Sequence, residues 1–207
     1  MKEVELIIGT GNPAKEQQVR EALASLKIPL RGLKEYDTSG VEVREDGTTA
    51  QENARRKALA YSKALQNPVI ATDNALYLEG LDEVRQPGIN VRRIEGRQDR
   101  PTDEELLAYY SKLIKSLGGN IGGYWLFAVC LALPDGRVFE TEIKSSRRFV
   151  AKPSETILSG YPIDALQIDP KSNRYISEII SEGKEPFWQR TIGEEPSNFV
   201  NETISKF

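Results

Sequence analysis

A short run ending in Leu6-Ile7-Ile8 is cut by Gly9-Thr10-Gly11-Asn12-Pro13. The residues after it, Lys15 to Leu26, carry Val19, Ala22, Leu23 and Leu26 at helical spacing. A buried strand (Val4 to Ile8), a tight turn and a helix, in that order, open an α/β fold. A second helix and further strands follow. Thr49-Ala50-Gln51-Glu52 reads as a capping box, and Ala50, Ala54, Ala58, Tyr61 and Leu65 fall on one helical face. Pro68 ends that helix, Val69-Ile70-Ala71 reads as a second short buried strand, and Leu76-Tyr77-Leu78 begins another.

An Arg-, Gly- and Pro-rich loop is expected from about Asp82 to Pro101, then a helix capped by Thr102 or Asp103 and running through Leu117. Gly118 to Gly123 reads as a linker. Tyr124 to Leu133 and Arg137 to Val150 flank Pro134-Asp135-Gly136 as a long hairpin, and two helices are expected near Tyr175–Ser181 and Pro196–Ser205. No repeat appears. The 207 residues suffice for one sizeable domain, or one domain split into two lobes around a cleft.

The side-chain inventory excludes more than it suggests. The chain has no histidine and a single cysteine, Cys130, set in an apolar run. Ser-His-Asp and Cys-His nucleophiles, HExxH zinc sites and structural Cys/His zinc are therefore out. Any hydrolysis must use carboxylates, lysine, arginine or a metal-activated water. A net charge of −3 supplies no broad basic field, so nucleic acid is not an expected partner. The longest apolar stretch, Leu126 to Leu133, is too short to span a bilayer, and Met1-Lys2-Glu3 does not open a signal peptide. A soluble, cytoplasmic protein is expected.

Two groups of residues could carry chemistry. Thr10-Gly11-Asn12-Pro13-Ala14-Lys15 lies between a strand and a helix N-terminus, where backbone N–H groups and the helix dipole favour an anion. It lacks the later glycines of a Walker A loop or GxGxxG. Read from spacing alone, it is a phosphate loop or an ordinary strand-to-helix turn. The second group comprises Glu42, Glu45 and Asp46 before the capped helix, and Asp73 after the second strand. Acidic residues in loops are usually solvated surface, but Asp73 directly follows a buried run, where an α/β sheet places its ligands.

Taken in order, Thr10-Gly11-Asn12 with Lys15, Glu45, Glu52-Asn53-Ala54 with Lys57-Ala58, Asp73, Pro87-Gly88 and Gly160-Tyr161 resemble the inosine/xanthosine triphosphate pyrophosphatase family. The likeness covers nearly the whole chain. It implies a two-lobed α/β fold, with a long curved mixed sheet flanked by helices and a central cleft. It also implies a homodimer, Mg²⁺ dependence, and hydrolysis of a deaminated purine nucleoside triphosphate (ITP, dITP or XTP) to monophosphate and pyrophosphate. Carried over, Thr10, Gly11, Asn12 and Lys15 cradle the triphosphate, and Glu45 and Asp73 hold the metal. Asp73 orients or deprotonates the attacking water, while Lys15, with Lys184 as the family's late lysine, stabilises the leaving pyrophosphate. Asn74, Gly160, Tyr161, Gln189 and Arg190 complete the substrate contacts.

The chain also departs from the family. Its Ser-His-Arg reads Trp188-Gln189-Arg190, and its Phe-Gly-Tyr-Asp-Pro reads Ser159-Gly160-Tyr161-Pro162-Ile163, with Asp164 two positions beyond the lost aspartate. Of Asp-Asp-Ser-Gly, Thr72-Asp73-Asn74-Ala75 keeps only the second aspartate. A glutamine amide at Gln189 can donate to hypoxanthine O6 and accept from N1–H, and Arg190 adds a donor. With the stacking phenylalanine gone, Tyr161, Phe187 and Trp188 are the candidates to stack on the base, or else ordinary core. The tract from Val84 to Arg100, whose Arg93 matches a family arginine, reads as a lid over phosphates or a solvated loop. The altered base positions leave a second reading open: a weakly active or inactive sensor that binds the nucleotide and regulates an effector protein.

Overall fold

The computed structural model describes residues 5–94, 98–183 and 194–204. Its strands are β1 (Leu6–Ile8), β2 (Leu30–Gly32), β3 (Val69–Leu78), β4 (Asn120–Ala132), β5 (Val138–Val150) and β6 (Gln167–Ile168). They form one six-stranded sheet in the order β2-β1-β3-β4-β5-β6. β1 runs parallel to β2 and β3, with Leu6 opposite Leu30 and Ile7 opposite Val69. β5 and β6 are antiparallel, with Arg148 opposite Ile168. The sheet is therefore mixed, and helices flank it: α1 (Pro13–Ala22), α2 (Ala50–Leu65), α3 (Asp103–Ser116), α4 (Ile176–Ser181) and α5 (Glu195–Ile204).

The α/β class expected from the sequence is the class observed, but several boundaries move. α1 ends at Ala22 instead of Leu26: the Leu23 N–H still reaches Val19 O, after which Leu26 closes a separate turn on Leu23. α2 starts where expected, with the Thr49 hydroxyl accepting from Glu52 N–H. The reciprocal half of the box is displaced by one residue, because the Glu52 carboxylate accepts from the N–H and hydroxyl of Thr48.

β3 corrects the largest misreading. Val69–Ala71 and Leu76–Leu78 are not two strands but parts of one ten-residue strand. β1 stops at Ile8, whose partner is Ile70, while β3 continues beside β4. Gly9 makes the last close approach: its N–H donates to Ile70 O at 2.7 Å, and a Cβ there would lie 2.7 Å from Val69 Cγ1. Asp73 thus sits mid-strand in β3, three residues beyond the last pairing with β1.

The expected linker at Gly118–Gly123 is also partly strand. Gly118 and Gly119 turn the chain with φ of +103° and +79°, but β4 begins at Asn120. Gly123 is there for closeness: an added Cβ would lie 2.6 Å from Tyr77 O and 2.8 Å from the Phe149 ring.

The chain divides into two compact units, one of Met1–Asn74, Leu126–Ile143 and Pro186–Phe207, the other of Ala75–Trp125 and Lys144–Glu185. In the first, Ile7, Leu33 and Val69 pack with Tyr36, Tyr61 and Leu65. Cys130 is fully buried there, and burial pushes its thiol up to about 12, as an inert structural cysteine requires. In the second, Leu76, Leu106, Tyr110, Ile114, Phe149 and Leu166 form the core. Among the described residues, no helix is long and apolar enough to cross a membrane.

Candidate active site

The first unit brings Lys15, Lys57 and Asn53 to Asp73. The turn after β1 brings Thr10 to Asn12 to the N-terminus of α1. The Thr10 hydroxyl accepts from Asn12 N–H at 3.2 Å, and Asn12 Oδ1 accepts from Ala14 N–H at 2.9 Å. Asn12 is thus the N-cap, and its acceptor oxygen is committed to the helix. An added Cβ on Gly11 would meet nothing within 4 Å, so the backbone there is open to an approaching group. Lys15, in the first turn of α1, donates to Asp73 Oδ1 at 3.0 Å.

α2 supplies the other side. Asn53 and Lys57, one turn apart, are 4% and 6% exposed. The Lys57 ammonium lies 3.2 Å from Glu45 Oε2 and 3.4 Å from Asp73 Oδ1, joining two carboxylates that sit 28 residues apart in sequence. Asn53 Nδ2 donates to the other Asp73 oxygen at 3.3 Å. Burial alone would raise Asp73, but the Lys15 and Lys57 charges, with hydrogen bonds from Lys15 and Asn53, outweigh it and hold the carboxyl below its ordinary value. Asp73 therefore stays ionised near neutrality, despite a side chain only 13% exposed.

Lys15, Glu45 and Asp73 thus come together as one cluster. Lys57 and Asn53 belong to it too, and their chemistry was missed at the level of single residues. The available signal was position: both lie on the stripe of Ala50, Ala54 and Ala58, where a buried lysine and asparagine need a partner. Asn74 does not join the cluster. Strand alternation turns it with Thr72 to the other face of β3, where both line an apolar cavity with Gln18, Val19 and Phe127. Glu42 pairs with Arg44 and Asp46 with Arg56, so neither adds to the carboxylates around Lys57. No group of three or more possible metal-ligating side chains occurs among the described residues.

Gly160 and Tyr161 lie in the second unit, in a turn held by a closed ring of hydrogen bonds. Arg92 donates to Gly160 O at 2.7 Å and to Asp103 Oδ1 at 2.9 Å, and Gly160 N–H donates to Asp103 Oδ2. Gly160 has φ of +80°, which a side chain would strain. Burial raises the half-buried Tyr161 phenol above its ordinary value. Asp164 does not stand in for the aspartate missing from the motif. It is half-buried, accepts from Gln167 Nε2 at 2.8 Å, and Gln167 in turn accepts from the Trp125 indole at 2.9 Å. Burial pushes its carboxyl up to about 7 in spite of the Arg147 charge nearby. In the arginine-rich tract, Arg85 is tied to Asp82 and Arg92 to the Gly160 turn, while Arg93 is exposed. Lys184, Phe187, Trp188, Gln189 and Arg190 lie outside the described residues.

Comparison with known proteins identifies the family and the fold. The sequence model described as the Ham1 family matches residues 6–190. A dITP/XTP pyrophosphatase of Rhodopseudomonas palustris is 31% identical over 180 residues, 85% of this chain and 82% of its own. One from Deinococcus deserti is 31% identical over 186 residues, 89% and 83% of the two chains. Among solved structures, a HAM1 protein from Coxiella burnetii superposes with a TM-score of 0.76 at 17% identity, covering 99% of this chain and 100% of that one.

Proposed function

The chain belongs to the Ham1 family, and from that premise we propose that it hydrolyses deaminated purine nucleoside triphosphates, of the ITP, dITP and XTP kind, to the monophosphate and pyrophosphate. One observation carries the reading: Lys15, Lys57, Asn53 and Glu45 are organised around a half-buried, ionised Asp73 beside a capped helix N-terminus. Cationic groups that bind phosphates stand next to a carboxylate able to take a proton from water, which is what cleavage of an acid anhydride requires.

The polar groups divide the work. The open backbone at Gly11, the Lys15 ammonium and the dipole of α1 receive the triphosphate. Asp73 orients a water molecule and accepts its proton as the oxygen attacks the α-phosphorus. The bond from that phosphorus to the α,β-bridging oxygen breaks, and the electron pair leaves with pyrophosphate. Lys15 and Lys57, with Lys184, offset the charge growing on that leaving group.

A divalent metal fits the donor set. Glu45 and Asp73 offer hard carboxylate oxygens, and a cation, the Lys57 ammonium, already lies within 3.4 Å of both. Glu45 and Asp73 would hold Mg²⁺, which when bound neutralises phosphate charge and makes water more acidic. Recognition of the base is assigned to Gln189 and Arg190, with Gly160 and Tyr161 as further substrate contacts, and the working form to a homodimer; Asn74, on the face of β3 opposite Asp73, is given no substrate contact.

The test is a panel of ITP, dITP, XTP, ATP and GTP with Mg²⁺, read as released pyrophosphate. The first three should be cleaved and ATP largely spared. A chain that cleaves ATP best contradicts the base assignment.

A further inference from the structure

We propose that Asn53 is a positioning residue, one that fixes the orientation of Asp73 and ties it to the loop carrying Glu45, so that both carboxylates are presented together; this rests on the pyrophosphatase reading above. Asn53 Oδ1 accepts from Gly47 N–H at 2.9 Å, and Asn53 Nδ2 donates to Asp73 Oδ2 at 3.3 Å. The first bond decides the second. An N–H can only be met by the amide oxygen, so the amide nitrogen must face Asp73. Asparagine alone can do both from this depth: aspartate would turn an acceptor towards Asp73, and leucine would serve neither group.

The neighbours explain why such a tie is needed. Both lysines near Asp73 address the same oxygen, Oδ1, at 3.0 and 3.4 Å. In the pyrophosphatase reading both turn towards phosphate when substrate arrives. Asn53, 4% exposed and bonded to the backbone of Gly47, has nowhere else to go. Oδ2 therefore keeps its donor while Oδ1 exchanges partners, and the carboxylate plane is held throughout.

The loop side is equally constrained. A Cβ at Gly47 would lie 2.6 Å from Asn53 Oδ1, so glycine there allows the loop to close onto the amide. Two residues upstream, Glu45 meets Lys57 at 3.2 Å, and Lys57 lies one turn along α2 from Asn53. The loop, the helix and β3 are thereby coupled through one buried amide.

The test compares wild type, Asn53→Asp and Gly47→Ala. Asn53→Asp keeps the acceptor for Gly47 and removes the donor to Asp73; Gly47→Ala leaves both groups and presses on the amide from the loop. The readouts are kcat and KM for ITP, the Mg²⁺ concentration at half-maximal rate, and thermal unfolding without metal. Loss of a partner that orients a metal-binding side chain typically costs about 10–100-fold in activity or metal affinity. Asn53→Asp should fall in that range for kcat and raise the Mg²⁺ half-saturation, with KM for ITP changed less than about threefold. Gly47→Ala should move both in the same direction by less. Unchanged Mg²⁺ half-saturation in the folded variants overturns the proposal, as does a loss of rate wholly accounted for by unfolded protein. If Asn53→Asp does not fold, Gly47→Ala decides by the same criterion. If wild type releases no pyrophosphate, the pyrophosphatase reading fails on its own. Calorimetry of ITP binding with and without Mg²⁺ then judges Asn53: a metal dependence lost in Asn53→Asp supports it, and one retained overturns it.

Discussion

The Asp73 cluster and the Gly160–Tyr161 turn are both built from charged and polar side chains, yet they use them in opposite ways. Around Asp73, two ammonium groups crowd one oxygen, and two carboxylates share one lysine. Charges held in that fashion are available to a ligand, because each can exchange a protein partner for phosphate or metal. Around Gly160, Arg92, Asp103 and the backbone close a ring in which each member satisfies the next. Asp164, behind it, is spent on Gln167 and the core. The first arrangement is a site in waiting; the second is a scaffold. In the proposed function the contrast separates groups assigned to the chemistry from groups that shape a surface, and it can be broken at either end.

The largest effect is expected at Asp73. Asp73→Asn removes the proton acceptor and leaves two lysines facing an amide. The rate of pyrophosphate release should fall by about 10²–10⁴-fold, the usual worth of a general base. A fall of less than tenfold would move the proton acceptor elsewhere.

Lys57→Met comes next and tests whether the lysine acts as a resident cation. Its side chain is 7% exposed and that of Asp73 13%, so the charge left behind is poorly solvated. Breaking such a pair costs about 3 kcal/mol, the low end of the usual range because Lys15 remains. Unfolding by denaturant should show the loss, and millimolar Mg²⁺ should restore part of it. If Mg²⁺ restores nothing, Glu45 and Asp73 do not form a metal site.

A smaller effect is expected from Asp164, and it depends on pH. Its carboxyl is raised from 3.8 to about 7 by burial. Between those values the folded chain keeps a proton that the unfolded chain gives up. Its contribution to stability is therefore full below about 4 and is lost as pH rises through 7. Asp164→Asn carries no such proton, so its melting temperature should gain on wild type from pH 5 to pH 8. Parallel curves would mean that Arg147 neutralises Asp164 throughout.

The smallest effect sharpens the scaffold half of the contrast. Asp103→Asn replaces a charge-assisted bond to Gly160 by a neutral one, a loss of about 1 kcal/mol, which should appear as roughly a fivefold rise in KM for ITP with kcat unchanged. A fall in kcat instead would make the ring part of the chemistry.

The difference between the two regions also explains what could be read from sequence. Around α1 and α2, single local signals decide the structure: Asn12 and Thr49 cap, Pro68 terminates, and small residues recur on one face. Lys15, Glu45 and Asp73 were legible with them. The continuity of β3 was not, since a charge after three apolar residues looks like a strand end. Only the sheet order shows that β3 outlasts β1 by lying beside β4. Gly122 and Gly123 misled similarly, because glycine chosen for close approach to Glu79 and Phe149 looks like glycine chosen for a turn. Asn53 and Lys57 stood in view on a buried stripe, but their partners are 20 and 16 residues away on β3. Tertiary placement supplied what periodicity could not.

The central claim is that the Asp73 cluster cleaves the bond between the α- and β-phosphates of a deaminated purine triphosphate. Phosphorus NMR of ITP incubated with Mg²⁺ and the wild-type chain tests it most directly, with Asp73→Asn as background. The account predicts inosine monophosphate and pyrophosphate in equal amounts from wild type and almost none from the variant. Inosine diphosphate with free phosphate would contradict the cleavage site. ITP bound tightly by wild type, with no pyrophosphate above the Asp73→Asn background, would contradict catalysis itself and make the chain a nucleotide sensor.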